Sequence, residues 1–220
     1  LDHHPTACEG LDRRIVDVVR RTKGDAAVPR LPRGDGWIFV ELAGDDPPEL
    51  RARGDAVLAG AGALDGLVIT DLAEATALWK IREDGAGLAG ISLARAAYPG
   101  WEDAAVPVEH LGSYLRDFDR LLDDHGLNGL PYGHFGDGCV HVRIDFPLTE
   151  QGGASGYKAF VTEAAQLVAS YGGSLSGEHG DGRARSELLP AMYSAAALEM
   201  FGKIKAAFDP NNILNPGVLV

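Results

Sequence analysis

Tyr132-Gly133-His134-Phe135-Gly136-Asp137-Gly138-Cys139-Val140-His141-Val142-Arg143-Ile144-Asp145-Phe146 is the stretch from which the fold can be read. It is strand-like on both sides of a Gly136-Asp137-Gly138 turn. Val142, Ile144 and Phe146 alternate with Arg143 and Asp145, the pattern of a half-buried strand. The glycines permit the positive φ a tight reversal needs. A chain that folds back here brings His134 and His141 together, and converging imidazoles are natural ligands for a borderline divalent metal. Two histidines do not fill a site, so a third ligand must come from elsewhere.

On the N-terminal side, residues 9–21 place Leu11, Ile15, Val18 and Val19 at helical spacing, which predicts a helix. A loop rich in Gly, Pro and Arg follows, and Trp37–Leu42 reads as a buried strand. Asp45-Asp46-Pro47-Pro48 opens a helix over about 49–62. Leu67–Thr70 reads as a second strand, and Asp71 caps a helix from Leu72 to about Asp84. Residues 85–100 show little periodicity. Val106-Pro107-Val108 reads as an edge strand, since proline cannot donate to a ladder. A helix over about 110–125 turns Leu111, Leu115, Phe118, Leu121 and Leu122 inward. Beyond Phe146, helices are expected over about 154–171, 184–193 and 195–207. This order suits an α+β domain: an open, mainly antiparallel sheet with helices on one face.

The 220 residues suffice for a real core, and 45% hydrophobic with 24% charged residues is an ordinary globular composition. No run approaches the ~18–20 apolar residues of a transmembrane helix. The net charge of −12 repels nucleic-acid backbones and anionic lipid, while leaving room for a small anionic substrate in a local cationic pocket. Cys8 and Cys139 form no CxxC motif, so neither a disulfide framework nor a cysteine-built zinc site is expected, and a cytoplasmic setting fits. There is no P-loop or Rossmann fingerprint. The chain opens Leu1-Asp2-His3-His4-Pro5 without an initiator Met and is expected to be a piece of something longer.

A second chemical segment is Ser176-Gly177-Glu178-His179-Gly180-Asp181-Gly182. Glu178 can supply a carboxylate oxygen, while His179 points to the other side if the segment is extended. Two histidines and a glutamate would leave open positions on a metal, as catalytic sites require. Spacing alone leaves this reading level with the plainer one, in which these are hydrogen-bonding loop residues. Arg143 follows His141 by two and so shares its strand face, where a guanidinium can clamp a carboxylate or simply be solvated. Arg82 is read first as a partner of its own helix C-terminus. The tail Asp209–Gly217 reads either as turns closing the last helix or as a loop pinned on another surface through Ile213, Leu214 and Asn215.

Three ordered motifs carry a resemblance: Gly133-His134 with Gly136-Asp137-Gly138 and His141; Gly177-Glu178-His179-Gly180; and Asp209-Pro210-Asn211-Asn212-Ile213-Leu214-Asn215-Pro216-Gly217. With Trp79, Arg82 and the Val106-Pro107 segment, they make the chain similar to the C-terminal cap domain of FAD-linked oxidases of the vanillyl-alcohol-oxidase-like superfamily. Relatives of that kind include D-lactate dehydrogenases, glycolate oxidase flavin subunits and D-2-hydroxyglutarate dehydrogenases. The resemblance implies a ferredoxin-like cap over residues 37–220, preceded by a helix and linker over 1–36, with the FAD-binding domain outside the chain. It implies His134, His141 and Glu178 as ligands of Zn or Mn, and His179 as the base facing substrate and flavin. It further implies Arg82 and Arg143 on the carboxylates of a small 2-hydroxy acid, and Asn215 returning to the flavin lobe. Cys139-Val140, Arg143 and Gly180-Asp181-Gly182 depart from the commoner pattern and look like large bacterial forms fused to a downstream iron–sulfur domain. The isolated chain is expected to be inactive. A docking cap with a vestigial site, or a metal hydrolase, stands as the alternative.

Overall fold

Asp12 is where the first strand becomes the first helix. β1 (Ala7–Asp12) runs directly into α1 (Arg13–Lys23), and the Asp12 carboxylate accepts the Arg14 amide as an N-cap. The helix expected over 9–21 therefore starts later, because Leu11 fits both a helical and an alternating pattern. In β1 the Gly10 backbone lies under the Phe135 ring, where a Cβ would come within 2.3 Å of it. β1 pairs antiparallel with β2 (Gly36–Glu41), from Ala7 opposite Glu41 to Asp12 opposite Gly36.

The computed structural model describes residues 3–91 and 93–220. They divide into two units: Leu1–Glu102 with Leu127–Phe146, and Asp103–Gly126 with Pro147–Val220. In the first unit, α2 (Pro47–Gly60) and α3 (Leu72–Ala89) follow β2, and Asp71 caps α3 by accepting the Glu74 amide, worth about 1 kcal/mol. Leu67–Thr70, expected as a strand, is not one. Val68 instead lies along α2, its Cγ1 where a side chain at Gly54 would be. β3 (Tyr98–Ala105), β5 (Cys139–Ile144) and β4 (Gly129–Tyr132) form a three-stranded sheet in that spatial order. β4 and β5 are the antiparallel hairpin read from the sequence, Gly129 opposite Ile144 and Tyr132 opposite His141. The core here is Leu11, Ile15, Val16 and Val19 against Ile81, Leu130 and Tyr132, with Trp37 and Phe39 packed on its rim. The architecture is α+β, with its described strands in two small sheets rather than one.

In the second unit, α4 (Leu111–Asp124) packs on α5 (Gly153–Ser170). Tyr114, Phe118 and Phe160 are buried between them, with the Phe118 and Phe160 rings edge to face at 5.8 Å. Strand geometry ends at Ala105, one residue before the expected edge strand. Pro107 lacks an amide hydrogen, and Val108–His110 is a 3-10 turn closed by the His110 amide on the Pro107 carbonyl. α6 (Gly182–Arg185) is only four residues long. It gives way to a 3-10 segment, Ser186–Ala191, because Pro190 cannot continue an α-helix. α7 (Ala195–Phe208) is capped by Ser194 and followed by the tail. Among the described residues no helix is long and apolar enough to cross a membrane.

The tail is organised by Asp209. Its carboxylate pairs with Lys205 and accepts the amides of Ile213 and Leu214 at 2.9 and 2.8 Å, while Lys205 also donates to the Leu214 carbonyl. Lys205 first, and then those amides, hold the Asp209 carboxyl below the usual range.

Two outcomes test this packing. Gly173 follows α5, and a Cβ there would stand 2.3 Å from the Ala105 carbonyl oxygen and 2.8 Å from Val106 Cγ1. Gly173→Ala should therefore break the Ala105–Ser174 bridge and cost about 1–3 kcal/mol in a denaturation experiment. Because the Asp209 pKa is lowered on folding, the order it imposes is present above the ordinary Asp value of 3.8 and is lost as pH falls through the folded value. The Ile213 and Leu214 amide resonances should titrate with a midpoint below 3.8, and Lys205→Met should raise that midpoint.

Candidate functional site

Among the described residues, each unit carries a cluster of chemically competent side chains. In the first, the turn between β4 and β5 is built for close approach. Gly133 has φ +135°, and a Cβ there would lie 3.1 Å from both the Cys139 carbonyl oxygen and His141 Cδ2. Phe135–Asp137 forms a 3-10 turn that Gly138 leaves with φ +69°. The His134 carbonyl accepts the amides of Asp137 and Cys139, so the reversal is closed by its own backbone. The imidazoles of His134 and His141 come to 5.6 Å between ring centroids, nearly perpendicular. His141 is buried, with Tyr132 beside it, and His134 is partly exposed.

His134 is gripped by a residue the sequence reading placed at a helix start. Glu9 on β1 is buried, and its Oε1 lies 2.8 Å from His134 Nδ1. Its Oε2 accepts Nε and Nη2 of Arg82 at 2.8 and 2.6 Å. Arg82, on α3, is thus bound by a carboxylate and not by its helix C-terminus, with Nη2 also 3.3 Å from His134 Nδ1. Arg143 on β5 pairs through Nε with Glu102 at 3.1 Å. Burial first, and then the charge of Glu102, push the nearby Tyr132 hydroxyl up. Cys8 and Cys139 are not joined in a disulfide, and burial pushes the Cys8 thiol up as well.

In the second unit the centre is Asp103, fully buried and held at φ +85°. Its Oδ1 accepts the Glu178 amide and its Oδ2 the His179 amide, both at 2.8 Å. The Ser176 hydroxyl donates to Oδ2 at 3.2 Å, and the Gly177 amide to the Asp103 carbonyl at 2.8 Å. The segment 176–180 is consequently a loop wrapped round a carboxylate rather than an extended strand. Glu178 and His179 do not alternate sides: Glu178 Oε1 and His179 Nε2 are 3.3 Å apart. Asp103, Glu178 and His179 offer ligand atoms within 4.8 Å of one another. Desolvation, with Asp103 adding to it against an opposing Arg185, raises the Asp181 carboxyl.

His134, His141, Arg82 and Arg143 thus belong to the first unit, and Glu178, His179 and Asn215 to the second. Asn215 is exposed in the tail at φ +52°. Glu9 and Asp103 were missed by the sequence reading. The signal available was acid inside an apolar run: Glu9 alone in Ala7-Cys8-Glu9-Gly10-Leu11, and Asp103 beside Glu102 in Trp101-Glu102-Asp103-Ala104-Ala105-Val106.

The family described as FAD linked oxidases, C-terminal domain, matches residues 2–219. D-2-hydroxyglutarate dehydrogenase of Escherichia coli (strain K12) is 38% identical over 192 residues, covering 83% of this chain and 19% of that protein. D-lactate dehydrogenase of Archaeoglobus fulgidus is 31% identical over 220 residues, covering 98% of this chain and 46% of the relative. Glycolate oxidase subunit GlcD of Escherichia coli (strain K12) is 31% identical, covering 82% of the chain and 36% of the subunit. The chain therefore spans between about a fifth and a half of the curated relatives it matches. The structure of 4-ethylphenol oxidase from Gulosibacter chungangensis superposes with a TM-score of 0.56 at 15% identity, over 96% of this chain and 46% of that one, a likeness of fold. With the family matched along nearly its whole length, the chain belongs to the C-terminal domain family of FAD-linked oxidases.

Proposed function

We propose that this chain is the substrate- and metal-binding domain of a FAD-dependent oxidoreductase that converts a D-2-hydroxy acid into its 2-oxo acid. The family membership and the relatives' names, D-2-hydroxyglutarate and D-lactate dehydrogenase and glycolate oxidase, support the reaction class. The observation that carries the site is the His134–His141 pair on one hairpin, with His134 oriented by a carboxylate, the arrangement that outer partners of metal-bound histidines take.

His134, His141 and Glu178 are assigned as the protein ligands. Two imidazoles and a carboxylate suit Zn or Mn and leave positions for substrate. The ion, when bound, supplies Lewis-acid stabilisation to the substrate's hydroxyl and carboxylate oxygens. The flavin, held by a domain outside this chain, supplies the hydride acceptor. His179 removes the proton from the substrate hydroxyl as general base. Arg82 and Arg143, each steadied through Nε by Glu9 and Glu102, direct their remaining donors at carboxylate oxygens. Asn215 and His179 face the flavin. The E. coli relative, of which the matched stretch is 19%, leaves length for further domains, and a downstream iron–sulfur domain belongs to this proposal as the electron exit. A cytoplasmic protein, with electron-transfer partners at the inner membrane, completes it.

The intact protein, mixed anaerobically with D-2-hydroxyglutarate, D-lactate or glycolate, should show bleaching of its flavin absorbance by at least one of them. No bleaching by any D-2-hydroxy acid would sink the reaction class. Chelator treatment should abolish the bleaching and added Mn²⁺ or Zn²⁺ restore it. Asp103→Ala should leave the amides of Glu178 and His179 without their acceptor. Hydrogen bonds to a charged group are each worth about 1.5–3 kcal/mol, so exchange at these two amides should speed up by roughly tenfold or more. Unchanged exchange would mean that Asp103 does not hold the loop.

A further inference from the structure

Glu9 has no role in the reading above beyond touching two of its residues, yet its geometry is specific. Both oxygens are engaged, each by a different donor group: Oε1 by His134 Nδ1, Oε2 by two nitrogens of Arg82. The carboxylate cannot drift away from either. β1 is paired to β2 with Glu9 opposite Phe39, and the next residue, Gly10, donates its amide to the Gly133 carbonyl at 3.0 Å. Glu9 and His134 are therefore held side by side by the backbone of their neighbours.

Two contacts compete for the meaning of His134 Nδ1. The 3.3 Å approach of Arg82 Nη2 would suit a bare nitrogen accepting its hydrogen bond. The 2.8 Å approach of Glu9 Oε1 requires a proton on Nδ1, because a carboxylate only accepts and a lone pair facing it at that distance would be repelled. The shorter, charge-assisted contact decides. His134 then carries its proton on Nδ1 and its lone pair on Nε2.

Resting on the metal-binding reading of His134, we propose that Glu9 is its positioning residue: one buried carboxylate fixes His134 as the Nδ1–H tautomer and at the same time clamps Arg82. The carboxylate is needed because both neighbours are donors, and an amide has a single acceptor oxygen. In Glu9→Gln the oxygen goes to Arg82, which presents two N–H groups. The –NH₂ then faces Nδ1, so the imidazole switches to the Nε2–H tautomer and its ligating lone pair is lost.

The test uses the intact protein in two ways. First, the metal-stripped wild type, labelled with ¹⁵N at histidine and with His134 assigned by loss of its signal in His134→Gln, should show the Nδ1–H tautomer at His134. The Nε2–H tautomer there overturns the proposal, whatever any variant does. Second, Mn²⁺ and Zn²⁺ affinities are measured by chelator competition. Glu9→Gln should weaken binding about 10–100-fold, as loss of an outer-shell partner does. Glu9→Gln combined with Arg82→Met should recover most of that loss, because the amide can then turn its oxygen to Nδ1. An unchanged affinity in Glu9→Gln, or a double variant no better than the single one, overturns the proposal, since a merely structural Glu9 would not be rescued by removing its ion-pair partner. A wild type whose metal affinity is unaffected by His134→Gln instead overturns the metal reading, and the tautomer still decides the role of Glu9.

Discussion

A carboxylate taken out of water must be paired or fully hydrogen-bonded, and that requirement organises this chain. Buried acids among the described residues are Glu9, Asp103, Asp145 and Asp209. Each holds a segment with little regular structure of its own. Glu9 fixes the first imidazole of the hairpin turn, and Asp103 gathers the loop at Glu178-His179. Asp145 accepts the backbone and side-chain N–H of Asn128 and pairs with Arg95, closing the entry to β4. Asp209 ties down the tail. Removing a partner leaves an acid's remaining charge or lone pairs unmet, so these loops have few alternatives.

The arrangement also explains how glycine-rich segments can carry chemistry. Glycine loses the most conformational freedom on folding, and Gly177, Gly180 and Gly182 would leave Glu178 and His179 poorly placed if nothing else held them. Asp103 supplies the restraint from the C-terminal end of β3. Two amides, a hydroxyl and its own carbonyl tie four consecutive residues to that one position. Glycine provides the reach, and the buried acid removes the freedom that glycine adds.

What was legible in the sequence follows from the range of the forces involved. The β4–β5 hairpin could be read because its turn glycines and alternating pattern are local. Asp71 as a cap was legible for the same reason. The start of α1 was not: Leu11 and Ile15 are four apart and satisfy a helix, while the pairing that makes Glu9 and Leu11 part of a strand lies with β2. Leu67–Thr70 has strand-like composition, but packing against α2 decided its conformation. Asp145 reads as a polar, outward position and is buried, because Asn128 and Arg95 reach it from other segments. Of the two candidate clusters, His134 and His141 in one and Glu178 and His179 in the other stand in short motifs and could be picked out as candidates. Glu9 and Asp103 could not, since their partners lie 125 and 75 residues away in sequence.

The sharing of Glu9 has a consequence for electrostatics as well as geometry. Arg82 Nη2 approaches within 3.3 Å of the Nδ1 of a proposed metal ligand, and alone it would set a positive charge where a divalent cation has to settle nearby. Glu9 cancels that charge at close range, inside a region where screening by water is reduced. The same carboxylate thus lets a cationic side chain that suits an anionic substrate and an imidazole that suits a metal occupy neighbouring positions. Residues joined through one shared partner do not contribute independently, so the effects of changing Arg82 and His134 cannot add. On the proposed function, metal affinity and anion recognition at this turn would be two readings of a single three-residue unit, with its carboxylate on β1, its imidazole on the hairpin and its guanidinium on α3.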